Sequence, residues 1–195
     1  MRNNNTYTVQ FRRKREGLTD YRKRLKLLVS NKPRLVVRRS LSNIQAAIIE
    51  YNKIGDIVKA AAHSSSLKKF GWKYSLGNIP SAYLVGFMLG KKAKKLNLEE
   101  AVLDIGLNKS VKGSKIYAVL AGVLDAGIKI PHSKEVLPSK ERIMGKHILT
   151  YADKLKKEDQ GSFKKQFGVH VKGNVDLSGI LNNFEETKKS IEGKY

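Results

Sequence analysis

Three short runs rich in aliphatic and β-branched residues constrain this chain more than any other feature. They are Arg34–Arg39 (RLVVRR), Asn43–Glu50 (NIQAAIIE) and Ile57–Ala62 (IVKAAA). Each has the length and composition of a strand. The intervening Ser40-Leu41-Ser42 and Tyr51–Asp56 (YNKIGD) are short enough for an antiparallel meander. A polar stretch, His63 to Asn78, then leads to a different period. Pro80 suits the first turn of a helix running to about Leu96. Ala101–Ile105 reads as a buried strand. Ser114 caps a second helix with Ile116, Tyr117, Leu120, Val123 and Leu124 inward, stopped by a left-handed Gly127. Ile128-Lys129-Ile130 is expected as a last short strand. The order β-β-β-α-β-α predicts an α/β fold of the mixed-sheet, α+β kind. A meander crosses over into parallel pairing, and helices pack on the sheet.

The flanks differ in character. Residues 1–17 are polar and basic with no apolar period, which predicts an extended segment that orders against a partner. A short helix follows, with Thr19 as cap, Asp20 at its positive end, and Tyr21, Leu25 and Leu28 on one face. Ser30-Asn31-Lys32-Pro33 stops it. Past the core, helices are expected at about 139–156, capped by Ser139, and at about 176–191, capped by Asp176. The stretch 157–175, with Gly161, Gly168 and Gly173, reads as linker. The chain thus divides into a basic arm with a short helix (1–33), a mixed-sheet core (34–132) and a helical extension (133–195).

Composition matters here for its charge. The chain of 195 residues carries a formal net charge of +22 and no cysteine, so thiolate metal sites, disulfides and Cys nucleophiles are excluded. Residues 1–40 hold 13 Lys+Arg against two acids, Glu16 and Asp20, and therefore half of that net charge. Such a chain repels itself and calls for a polyanion. The opening segment lacks the apolar core of a signal peptide, and interleaved Tyr7, Phe11, Glu16 and Asp20 argue against a transit peptide. It also lacks the amphipathic stripe of a membrane-surface helix. The longest apolar run, Ala82 to Gly90, is nine residues, far short of the roughly 18–20 that span a bilayer.

Arg12-Arg13-Lys14-Arg15, flanked by Tyr7, Phe11 and Tyr21, is the sharpest local feature. Cations supply phosphate contacts, and aromatic rings supply stacking on unpaired bases. In the first strand Arg34, Val36 and Arg38 share one face, while Leu35, Val37 and Arg39 share the other. That arrangement suits either a phosphate-binding sheet face or an edge strand guarded by charge. The loop Ser66–Tyr74 offers Lys68, Lys69 and Lys73 with Trp72, whose ring either stacks on a base or lids the core. Gly86-Phe87-Met88-Leu89-Gly90 predicts a close approach of its helix to the sheet. Lys91, Lys92, Lys94 and Lys95 after it are expected to face solvent or RNA.

The competing reading is a metal-dependent nuclease on a mixed sheet, with Asp104 at a strand end. Such enzymes converge several carboxylates on two ions, and the first three strands contain only Glu50, near an end. The four histidines are scattered, and neither GxxxxGK[ST] nor GxSxG occurs. Asp104 reads better as a strand-end anchor. No catalysis, metal or cofactor is expected.

At this point the residues resemble a known family: the large-subunit ribosomal protein that carries 5S ribosomal RNA, called L-eighteen in bacteria and archaea and L-five in eukaryotes. The matching stretches are Arg12–Arg24 (RRKREGLTDYRKR), Pro33–Ile44 (PRLVVRRSLSNI), Ala62–Ser65 (AHSS), Gly77–Gly86 (GNIPSAYLVG), Ala101–Leu107 (AVLDIGL) and Gly113–His132. They run in the family's order. Arg142–Ile148 (RIMGKHI) and Lys164-Lys165-Gln166-Phe167 are similar to the extension of archaeal and eukaryotic members, and the length points to an archaeal type. The resemblance implies a ribonuclease-H-like sheet used as a scaffold without catalysis. It implies binding to 5S ribosomal RNA at the central protuberance, contacts with the large ribosomal RNA, a neighbouring 5S-binding ribosomal protein and other large-subunit proteins as partners, and a place in cytoplasmic ribosomes. Carried over by position, it assigns RNA contacts to Arg12, Arg13, Lys14, Arg15, Tyr21, Arg22, Arg24, Arg34, Arg38, Arg39 and Asn43. It adds the loop of Lys68, Lys69, Trp72 and Lys73 as a second surface.

Overall fold

The fold is taken from a computed structural model that describes residues 8–173 and 175–195. Tyr7 and the rest of the first seven residues lie outside the described residues. The three runs form strands β1 (Arg34–Arg39), β2 (Ile44–Glu50) and β3 (Ile57–His63), paired antiparallel in sequence. The fourth, β4 (Val102–Asp104), pairs parallel to β1, giving the sheet order β3-β2-β1-β4. This is the mixed α/β fold that the alternation of patterns predicts. Ile128–Ile130 contributes a single parallel bridge, Glu100 to Lys129, rather than a full strand.

The core lies on one face of this sheet. Leu35, Val37, Ile44, Ala46, Ile48, Ala60 and Ala62 point into it and are buried, as the two-residue alternation of a strand requires. Against them packs helix α3 (Ile79–Lys95), capped by the Asn78 side chain on the Ser81 amide at 2.9 Å. Its residues are buried almost all round from Ile79 to Gly90, which marks a helix surrounded by protein. Helix α4 (Lys115–Asp125) lies against α3. The glycines of α3 face α4, not the sheet: a Cβ on Gly86 would meet the Val119 carbonyl oxygen at 2.0 Å, and one on Gly90 the Ala126 methyl at 2.5 Å. The close approach is real, but its partner is the second helix.

The flanks depart further from their patterns. Within the segment expected to be extended, Arg12–Arg15 form one helical turn, α1. Helix α2 (Tyr21–Leu28) is capped by Asp20, whose carboxylate accepts from the Arg22 and Lys23 amides at 3.0 and 3.1 Å. Thr19 is not the cap, because its hydroxyl accepts from Arg13 Nε at 2.8 Å. The stretch before α3 contains a 3-10 helix, Ser64–Phe70. The helix expected over 139–156 is two, α5 (Lys140–Met144) and α6 (Lys146–Glu158), split where Gly145 adopts a left-handed conformation at φ 96°. Most of the supposed linker is helix α7 (Gln160–Lys172), kinked at Phe167, whose ring turns inward. Helix α8 (Ile180–Lys194), preceded by a 3-10 turn, buries Ile180, Phe184 and Ile191 in the same apolar cluster as the sheet.

The lysines at the end of α3 serve this docking. Lys91 pairs with Glu192 at 2.8 Å, Lys92 donates to the Ala61 carbonyl, and Lys92 and Lys95 sit 5.4 and 5.5 Å from the Tyr195 ring centre. Lys91 and Lys92 are half-buried and turned towards α8 and β3, whereas Lys94 and Lys95 stay exposed.

Candidate nucleic-acid interface

The sheet face away from the core carries Arg34, Val36 and Arg38 of β1, with Ala47 and Ile49 of β2 and Asp104 of β4 in register beside them. Helix α2 and the chain before it stand over this face. Between them lies a cleft of about 670 Å³. Its lining mixes apolar Val36, Ile49 and Leu103 with the charged Arg13, Arg24, Arg34, Arg38, Asp56 and Asp104.

Those charges form an alternating ladder. Arg24 Nη2 donates to both Asp56 carboxylate oxygens, at 3.1 and 3.0 Å. Arg34 Nη2 donates to Asp56 at 2.6 Å and its Nη1 to Asp104 at 3.1 Å. Arg38 Nη2 donates to the other oxygen of Asp104 at 3.2 Å, and its Nη1 to the Asp104 carbonyl at 3.0 Å. Asp104 also accepts the Gly106 amide at 2.8 Å, the strand-end anchoring its position suggests. Exposure grades along the ladder: the Arg34 side chain is 4% exposed, those of Arg24 and Arg38 35% and 47%. Arg34 is therefore a structural cation and cannot reach an RNA. The outer two present guanidinium groups held in place by carboxylates, and a planar guanidinium suits a phosphate.

The arm continues this basic edge. Phe11 and Tyr21 rings lie 5.1 Å apart between the α1 and α2 turns. Arg12, Arg13, Lys14, Arg15 and Arg22 are exposed around them, with Arg12 3.3 Å from Glu16. At the far end of β1, Arg39 is exposed and donates to Asn108 at 3.2 Å. Lys115 lies close enough to Arg39 that burial, and then this neighbouring charge, lower its pKa. Asn43 is a turn residue: its carbonyl accepts from the Ser40 amide at 2.9 Å, and its side chain from the Ser64 hydroxyl at 3.1 Å.

The second surface expected from the sequence divides. Lys68, Lys69 and Lys73 are exposed, but they belong to the helical layer beside α8 and not to the cleft. Trp72 is 2% exposed, donates its indole N–H to the Ser75 carbonyl at 3.1 Å and meets Tyr74 edge-on. Its ring lids the core and cannot stack on a base.

The carboxylates on and beside the sheet are occupied by cations. Asp56 and Asp104 both face guanidinium groups, Glu50 pairs with Lys59 at 2.8 Å, and no group of three or more potential metal ligands occurs among the described residues. The local sequence around Asp56 does not mark it, and its only signal is scarcity: Glu50 and Asp56 are the only acids between Asp20 and Glu99. Among the described residues no helix is long and apolar enough to cross a membrane.

What this geometry offers is a basic, aromatic-flanked face on a mixed sheet, continuous with a basic arm. A comparison with protein families agrees with it. The family model described as ribosomal large subunit proteins 60S L5 and 50S L18 matches residues 5–101 and 93–133, more than half of the chain. The match runs from the arm through the meander to the end of the α4 region, and so takes in every element that lines the cleft. This chain belongs to that family of large-subunit ribosomal proteins.

Proposed function

We propose that this protein binds 5S ribosomal RNA and attaches it to the large ribosomal RNA at the central protuberance, as a structural constituent of cytoplasmic ribosomes of the archaeal type. A neighbouring 5S-binding ribosomal protein is its protein partner. The observation that carries the reading is the convergence of Arg13, Arg24 and Arg38 on one cleft beside the exposed Arg12–Arg15 turn. Its work is placement: cations neutralise phosphates and release counterions, and the arm orders along folded RNA. No step of catalysis enters, because the carboxylates of the cleft serve to hold arginines.

Binding of a 5S RNA transcript, followed across a salt series, tests this. Replacing Arg12, Arg13, Lys14 and Arg15 together by Ala is expected to weaken binding and to flatten the log–log salt slope by about three, since each phosphate contact contributes roughly 0.7–0.9. An unchanged slope overturns the role of the arm. Crosslinking of RNA to the native protein should map to the arm and β1, and RNA held with magnesium should stay intact. Cleavage lost on Asp104→Asn would favour the nuclease instead.

A further inference from the structure

Helix α2 stands over the sheet with little to hold it. None of its residues is fully buried, and Leu25 and Val29 after it are largely exposed. Packing of an apolar face normally anchors a helix of this length, which is only marginal by itself. Among the described residues its charged tether is a single one. Asp56, at the end of the β2–β3 turn, binds the Arg24 guanidinium through both carboxylate oxygens and at the same time accepts from buried Arg34 at 2.6 Å. Arg34 is itself fixed by Asp104. Asp56 is therefore rigid from below and holds α2 from above.

We propose that Asp56 is a positioning residue of the RNA interface: its carboxylate fixes Arg24 and helix α2 over the sheet, so that the basic arm meets RNA preorganised. This inference rests on the RNA-binding reading above and gives it a mechanism. A group already ordered before binding loses less freedom when it binds. Long-range electrostatics alone makes the opposite forecast, because deleting an acid from a polycation should tighten its grip on a polyanion. The two accounts differ in sign.

The experiment compares full-length wild type, Asp56→Asn and Asp153→Asn for binding to a 5S RNA transcript at fixed salt. Asp153 is exposed on α6, away from the cleft lining, and its substitution adds the same charge. The Asp153→Asn protein is expected to bind as tightly as wild type or slightly more tightly. The Asp56→Asn protein is expected to bind about threefold to tenfold more weakly, with faster amide exchange over Tyr21–Leu28 in the RNA-free protein. Asp56→Asn leaves Arg34 its bond to Asp104, and thermal melting checks that the fold survives. If it does not, Asp56→Glu, which keeps the charge but shifts it by one methylene, should weaken binding in the same direction. Binding by Asp56→Asn as tight as that of Asp153→Asn, or unchanged exchange in α2, overturns the proposal. A wild-type protein that fails to bind the transcript would instead remove the 5S reading, while exchange in α2 would still decide whether Asp56 holds the helix.

Discussion

Gly86 of α3 lies so close to Val119 of α4 that a Cβ on the glycine would stand 2.0 Å from the valine's carbonyl oxygen. The contact is reciprocal, since a Cβ on Gly122 would meet the Tyr83 carbonyl at 2.2 Å and the Phe87 amide nitrogen at 2.6 Å. Both obstacles are backbone, which cannot swing aside as a side-chain tip can. Gly86→Ala and Gly122→Ala should each destabilise the protein by about 3 kcal/mol, at the upper end of overpacking costs. Chemical denaturation measures this. A loss below about 0.5 kcal/mol would mean that the helices separate freely.

Trp72 separates stability from binding. Trp72→Ala removes a ring buried among core residues and should cost about 3–5 kcal/mol. Trp72→Phe retains most of that packing but leaves the Ser75 carbonyl without its indole donor, so a smaller loss is expected. Where the Phe variant is folded, its RNA affinity should equal that of wild type. Weaker binding by a folded Trp72→Phe protein would return the ring to the interface.

Arg34 makes the contrasting case. It bridges two carboxylates while nearly excluded from water, and its Nε is buried without a hydrogen-bond partner among the described residues. Arg34→Met should destabilise by about 3 kcal/mol, because taking the cation from a buried pair leaves carboxylates underpaired. Arg24 and Arg38, which still bond them, limit the damage. The exposed neighbour gives the reverse pattern: Arg39→Ala should leave the melting temperature nearly unchanged and lower RNA affinity.

Two histidines, His147 and His170, shape the pH response. Burial lowers the pKa of His170, and burial with the nearby Arg142 charge lowers that of His147. A histidine so shifted binds protons more readily in the unfolded chain, so its contribution to stability is full above the ordinary value of about 6.5 and falls away as the pH drops towards 5. The carboxylates whose pKa values are lowered, among them Glu100 beside Lys32 and Glu192 beside Lys91, titrate below this window. Melting temperature should therefore decline between pH 7 and 5, and His170→Gln should flatten the decline. An equal slope in the variant would contradict this assignment.

The meander and both core helices were legible in the sequence because each of them combines a clear period with a stop signal. Gly127 and Asn78-Ile79-Pro80 mark ends that the structure keeps to within a residue. The extension was legible in part. Gly145 interrupts an otherwise continuous helical stripe with a left-handed turn, and Gly161 and Gly168 sit inside a helix whose stability comes from the inward Phe167 rather than from propensity. The basic character of the arm and of Arg38 could be read from charge alone. The ladder could not. Arg34 and Arg38 look equivalent on one strand face, and what separates them is the meeting of Asp56 and Asp104, from a distant turn and a distant strand, around the first of them.

The parallel pairing of β1 with β4 sets an order of events. Asp104 lies 70 residues beyond Arg34 along the chain, whereas the meander joins near neighbours. Contacts between distant segments close late, after local ones have formed. A chain emerging from synthesis thus displays its first strand before it has made Asp104, the acid that bonds Arg34 and Arg38. That side of the cleft is complete only when β4 slots in beside β1. An Arg34 and Arg38 pair held in register on β1 is thus a sign that the sheet has closed.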